Sequence, residues 1–257
     1  MAGANKYFTI ELTPTIKATA QHLGVYTAGD ILWQLTSDNK IQIPSGPARL
    51  IGATALVRPK GDAGPTPNNF GIDLVFSKEA RTAANGNLVF GKGSPNNDIV
   101  GSIQLSAGDH VAAAANNCTS VVSSGSEPGS IVLNRGVELC TVVADRAVGY
   151  DTYYVGGIAA GAHFFGVTAN RVNETGFSAD TQDEITMDDG SGSTSMDCRE
   201  HFLPGDILHA QDNAVLGTVA SVAAREITLT ANNVDAIADN DYIYNIHPIR
   251  VILSFER

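Results

Sequence analysis

Tyr7-Phe8-Thr9-Ile10-Glu11-Leu12-Thr13 sets Phe8, Ile10 and Leu12 on one side of the chain and Tyr7, Thr9, Glu11 and Thr13 on the other. Successive side chains of an extended backbone point to opposite faces, so this period of two marks a strand with one face buried. The alternation returns near the far end, where Val251, Leu253 and Phe255 share a face. Between the two runs, further strand-like segments recur at 31–35, 50–58, 72–77, 98–105, 131–133, 138–143, 153–158 and 164–169. Breakers separate them, among them Pro44-Ser45-Gly46-Pro47, Lys60-Gly61-Asp62-Ala63-Gly64-Pro65, Asn85-Gly86-Asn87 and Lys92-Gly93-Ser94-Pro95. A steady beat of strand and turn belongs to sandwiches and barrels rather than to βαβ units. Helix is scarce: 107–117 reads as one short helix with Asp109 near its start, and 78–84 as a single turn.

Composition agrees. The chain has 257 residues, 43% of them hydrophobic and 17% charged, which supplies a core, and its 26 glycines supply turns. That length suits a sandwich with a small second module. The formal net charge of −11 would repel a phosphate backbone, which argues against a nucleic-acid partner. No run of about 18 apolar residues is present to cross a membrane as a helix. Met1-Ala2-Gly3-Ala4-Asn5-Lys6 lacks the apolar stretch of a secretory signal, so folding in a cytoplasm is expected. Cys118, Cys140 and Cys198 are odd in number and widely spaced, as free thiols are and a disulfide framework is not.

Two stretches break the strand rhythm. One, 68–97, is polar and Gly-rich and reads as a long surface loop. The other begins near Ser178 and holds Asp180, Asp183, Glu184, Asp188 and Asp189, then Gly190-Ser191-Gly192-Ser193. A compact block follows, with strands at 206–209, 215–222, 226–230 and 242–246 and tight turns at Asp212-Asn213 and Ala223-Ala224-Arg225. The expected architecture is all-β: a jelly-roll-like β-sandwich of 1–177 plus 247–257, with a small SH3-like β-barrel (178–246) inserted before the last strand. Ala28-Gly29-Asp30-Ile31-Leu32 echoes Pro204-Gly205-Asp206-Ile207-Leu208. Gly followed by Asp ahead of an apolar pair predicts one shared turn geometry feeding two strands.

Candidate chemistry is sparse. Cys198-Arg199-Glu200-His201, with Asp206 and His209 following, is half of a zinc pattern, and no second pair completes it. The acids of 180–189 offer oxygen ligands for calcium but lack the Asp-x-Asp-x-Asp-Gly order that arranges them around one ion, so a solvated, mobile loop is expected. Ser123-Ser124-Gly125-Ser126 and Gly190-Ser191-Gly192-Ser193 lack the strand and helix flanks of a nucleophile elbow. Phosphate-cradling and dinucleotide-binding glycine patterns are missing. The reading is therefore of a chain that is not an enzyme, with no catalytic, cofactor-binding or metal-binding residues and no cofactor. Tyr150, Tyr153, Tyr154, Tyr242 and Tyr244 are candidate interface residues, since Tyr is favoured at protein contacts, and core packing is the competing account.

One segment carries a resemblance. Pro204-Gly205-Asp206-Ile207-Leu208, Leu216-Gly217-Thr218-Val219-Ala220-Ser221-Val222, Ile227-Thr228-Leu229-Thr230-Ala231-Asn232-Asn233, Ala238-Asp239-Asn240-Asp241 and Pro248-Ile249 together resemble the C-terminal part of virion structural proteins of tailed bacteriophages, those of cyanobacterial hosts in particular. The resemblance covers about 55 residues of turn and strand vocabulary. It implies a capsid cement or decoration protein that stabilises the phage head, or else a tail, neck or baseplate component. It further implies a homo-oligomer, a trimer, whose partners are the major capsid protein or other virion subunits, made in the host cytoplasm and carried on the virion. No catalytic residue carries over. A receptor- or glycan-binding module is the alternative of another class, and a β-rich hydrolase with a scattered site is a third.

Overall fold

The computed structural model describes residues 7–16, 26–44, 48–58, 69–80, 99–114, 117–123, 132–133, 150–161, 171–173, 178–188, 197–210 and 214–256. In chain order its strands are β1 (Tyr7–Leu12), β2 (Ile31–Trp33), β3 (Lys40–Pro44), β4 (Ala48–Val57), β5 (Ile72–Ser77) and β6 (Ile99–Leu105). Then come β7 (Val111–Ala114), β8 (Asn117–Ser123), β9 (Val132–Leu133), β10 (Tyr150–Ala159), β11 (Arg171–Val172) and β12 (Glu184–Asp188). The last five are β13 (Ile207–Ala210), β14 (Val215–Val222), β15 (Glu226–Leu229), β16 (Ile243–Asn245) and β17 (Ile249–Glu256). The expected segments 138–143 and 164–169 lie outside the described residues.

The alternating runs at the two ends of the sequence are neighbours. β1 pairs antiparallel with β17, Phe8 opposite Phe255 and Ile10 opposite Leu253. The two phenyl rings stack with centroids 5.2 Å apart. From there the first sheet continues through β4 and β8 to β7, with β9 also on β4. A second sheet runs β2-β10-β5-β6, with β3 alongside β2 on the same flank of β10. Leu50, Val57, Val251 and Leu253 from the first sheet and Ile43, Leu74, Phe76 and Val155 from the second share one buried cluster. Two sheets closing on one core make a sandwich. The chain switches repeatedly from one sheet to the other, which is the jelly-roll-like habit.

The second sheet is buried on its far side too, where Ile31, Leu35, Val75 and Tyr154 form a small cluster of their own. Trp33 is fully buried and faces Gly157 across the β2–β10 pairing. A methyl group at Gly157 would run into the six-membered ring of the indole.

The third sheet, β11-β12-β15-β14-β13-β16, curls on itself. A bridge between Arg171 and Tyr242, just ahead of β16, brings its ends together, giving a small barrel inserted before the last strand. Its core is separate: Ile185, Met187, Phe202, Leu208, Leu216 and Ile227 are buried there and none belongs to the sandwich cluster. The four strands expected in 204–246 are present within two residues at each end, and Ala223 and Glu226 close the β14–β15 turn as anticipated (N–H to O, 2.8 Å). The Asp212-Asn213 turn itself lies outside the described residues.

Two expectations fail. Residues 107–117 form no α-helix: a 3-10 turn at Ala107–Asp109 leads into β7, which pairs back with β8. Alanine's helix propensity is a weak preference that sheet pairing overrides. Nor are residues 180–188 a mobile loop, because Ile185 and Met187 alternate inward as β12 and leave only part of the acidic run in a turn.

Candidate functional site

Polar side chains that looked available for chemistry are engaged in holding turns. In Thr27-Ala28-Gly29-Asp30 the Asp30 N–H donates to the Thr27 carbonyl (3.0 Å) while the Asp30 carboxylate accepts the Thr27 N–H (2.7 Å). Gly29 has φ +95°, the left-handed value that the third position of such a turn demands. Leu203-Pro204-Gly205-Asp206 repeats the scheme, with φ +92° at Gly205 and the Asp206 carboxylate 2.8 Å from the Leu203 N–H. Ala238-Asp239-Asn240-Asp241 is a third copy, in which Asn240 takes φ +64° and the Asp241 carboxylate accepts the Ala238 N–H at 2.8 Å.

The copies also dock alike. Each third residue donates its N–H to the carbonyl of a buried residue on the next strand, and that residue's N–H returns to the Asp carbonyl. Ala159 serves Gly29 and Asp30, Val219 serves Gly205 and Asp206, and Val172 serves Asn240 and Asp241, all at 2.8–3.0 Å. The echo seen in the sequence is thus one turn geometry used in both modules. The third copy escaped notice because Asn replaces Gly.

Asn233 plays a similar part for the acidic segment. It is fully buried, and its Oδ1 accepts the N–H groups of Thr181 (3.2 Å) and Gln182 (3.0 Å). Its Nδ2 donates to the carbonyls of Ser178 (3.0 Å) and Asp235 (2.6 Å). The loop that brings Asp180 and Asp183 to β12 is therefore pinned to the barrel through one amide.

The candidate zinc residues separate in the same way. Cys198 is buried in the barrel core, where burial first, and then the nearby Asp197, push its thiol up to about 12. Asp197 turns instead to Arg199, whose guanidinium holds that carboxyl below its usual range. His209 packs its ring on Tyr244, with centroids 5.8 Å apart. Among the described residues, no three His, Cys, Asp or Glu side chains gather as a metal would require.

The five tyrosines do not share a surface. Tyr153, Tyr154 and Tyr244 are buried, and only Tyr150 (42% exposed) and the half-buried Tyr242 reach solvent. Tyr242 works at the barrel seam: the Arg171 guanidinium lies 4.2 Å from its ring centre and donates to its hydroxyl. Tyr244 belongs to the junction between modules. There burial pushes the Tyr26 phenol up, with Tyr244 and Asp30 adding to the shift.

That junction is built from three links. Ile16 donates its N–H to the Ile246 carbonyl and Arg58 its N–H to the Pro248 carbonyl, each at 2.9 Å. The Arg58 guanidinium meets the Asp206 carboxylate at 3.0 Å. Sequence gave no hint of this pair, which is separated by 148 residues.

A cleft of about 210 Å³ opens at one end of the second sheet, bounded by Asn69, Phe70, Gln104, Ser106 and Ala160. His110 lies against Phe70, its Nε2 2.8 Å from the Phe70 carbonyl. Burial, as the largest influence, holds this imidazole below its ordinary value. No carboxylate or second histidine lines the cleft with it. The serine contexts around Ser124 and Ser191 lie outside the described residues.

The chain matches no protein-family model and no curated protein.

Proposed function

We propose that the chain is a non-catalytic structural protein of a virion, and specifically a capsid cement or decoration protein that stabilises a phage head. Its partners are the shell subunits and further copies of itself, and it acts on the assembled particle. The observation that carries this reading is the use made of the polar residues. Asp30, Asp206, Asp241 and Asn233 direct their side chains to backbone groups of turns and loops. Arg58 and Asp206 fasten one module to the other. Such a molecule is a stiff, two-part body whose function lies in its outer surface.

The residues behind the phage resemblance fit the same picture. Pro204 to Leu208 supplies a turn and the strand it feeds, Leu216 to Val222 a strand, Ile227 to Asn233 a strand and the pinning amide, and Ala238 to Asp241 another turn. A stiff insert beside a sandwich offers two contact faces, one to bridge shell subunits and one to face outward. The test is electron microscopy of particles assembled with and without the protein. Heads that bind it at regular positions and lose resistance to heat when it is missing are the expected result. Heads that neither bind it nor change would overturn the proposal.

A further inference from the structure

We propose that β6 is a self-association seam, at which two copies of the chain pair their β6 strands antiparallel about a two-fold axis. The inference goes beyond the role proposed above and holds whether or not the chain rides on a particle. It starts from which sheet edges are protected. Natural edge strands are kept from pairing with other chains by charge, by proline or by shortness. β1 is guarded by Glu11, engaged with Arg250. On the other flank of the second sheet, β3 carries Lys40 and ends in Pro44, and β2 has only three residues, all buried. β7 has four residues.

β6 has none of these guards. Ile99-Val100-Gly101-Ser102-Ile103-Gln104-Leu105 is seven residues without charge or proline, bonded on one side to β5 and, among the described residues, to no strand on the other. Alternate backbone N–H and C=O groups along that outer side point away from the sheet, as they do on any edge strand.

The strand also suits its own copy. Antiparallel pairing centred on Ser102 sets Ile99 opposite Leu105, Val100 opposite Gln104, and Gly101 opposite Ile103. Apolar ends then meet apolar ends, and the smallest residue faces a branched one, where side-chain contact across the seam is favourable. Ile99 and Val100 are only half-buried in the single chain and gain cover from this arrangement. Charge points the same way. Two bodies of net charge −11 repel over most of their surfaces, and a neutral edge lets them meet without setting like charges opposite each other. The product is one continuous sheet across an isologous two-fold interface, where the phage resemblance implies a trimer.

The test is the mass of the full chain in solution. A species of twice the 26.9 kDa chain mass is expected, in a concentration-dependent equilibrium. Raising ionic strength from about 0.05 to 0.5 M should strengthen it, because salt screens the repulsion between copies. Ser102→Lys places two lysines face to face at the axis and should weaken association at least tenfold, while Ser102→Thr retains it. Hydrogen exchange in 99–105 should slow as protein concentration rises, a readout of the wild-type chain that needs no variant. A wild-type mass of one chain or of three, a dimer indifferent to Ser102→Lys in a folded variant, or exchange in 99–105 independent of concentration would each overturn the seam.

Discussion

Arg58 closes the sandwich strand β4 and Asp206 opens the barrel strand β13, and their side chains meet at 3.0 Å with the carboxylate almost wholly buried. The same carboxylate also holds the Leu203 N–H, so one group serves both a turn and the join between modules. Burial is the largest influence on Asp206 and raises its carboxyl above the ordinary value, with Arg58 pulling the other way.

Arg58→Met should therefore destabilise the protein by about 1–3 kcal/mol at neutral pH, the cost of a buried carboxylate deprived of its cation. The sign of the pH dependence follows from the raised carboxyl. Its contribution to stability is fully present below the ordinary carboxylate range and is lost as pH rises through the elevated folded value. Removing Arg58 lifts that value further. The deficit of Arg58→Met should thus be largest near neutrality and shrink on acidification, when a protonated Asp206 no longer needs the cation. Urea midpoints of both proteins along a pH series check this.

The repeated turn makes a comparison with a built-in control. Gly205→Ala puts a β-carbon at φ +92° with no atom close enough to clash, so the cost is conformational, about 1–2 kcal/mol. Gly205→Asn should cost distinctly less, because the third copy already places Asn240 at φ +64°. Thermal melts of the two variants give the ordering.

Asn233→Ala removes four hydrogen bonds from a fully buried amide and should cost roughly 3 kcal/mol. The amides of Thr181 and Gln182 lose their acceptor, so their hydrogen exchange should accelerate beyond that of the barrel as a whole.

Cys198 should be inert while the barrel is folded, since burial holds its thiol up at about 12 and only the thiolate reacts. In a chain with Cys118→Ser and Cys140→Ser, a thiol-specific disulfide reagent near pH 8 should titrate nothing natively and one group after denaturation. Fast native labelling would show the barrel core to be open.

Much of this architecture could be read from residue order because sheets declare themselves when one face is wet. β1, β4 and β17 alternate for that reason. β10 is harder, since Tyr153 and Val155 enter the main core while Tyr154 is buried on the opposite face. β3 alternates in Ile41 and Ile43, yet the prolines around it drew the eye to a turn. In β12, Glu184 and Asp188 masked the inward pair Ile185 and Met187, which carried the correct signal. The tyrosines were recognisable as a group, but their separation into core, seam and surface depends on sheets whose members lie far apart in sequence. Arg58–Asp206 belongs to the same class, since nothing local marks a contact made by two modules.

Trp33 is the chain's single indole, and it is packed over Gly157 inside the sandwich, whereas no tryptophan lies in the barrel core. Its emission consequently watches one module and is blind to the other. Following fluorescence beside circular dichroism during denaturation then asks a direct question of the molecule. Coincident curves mean that the junction makes two cores melt as one, and a split means that the insert loosens on its own.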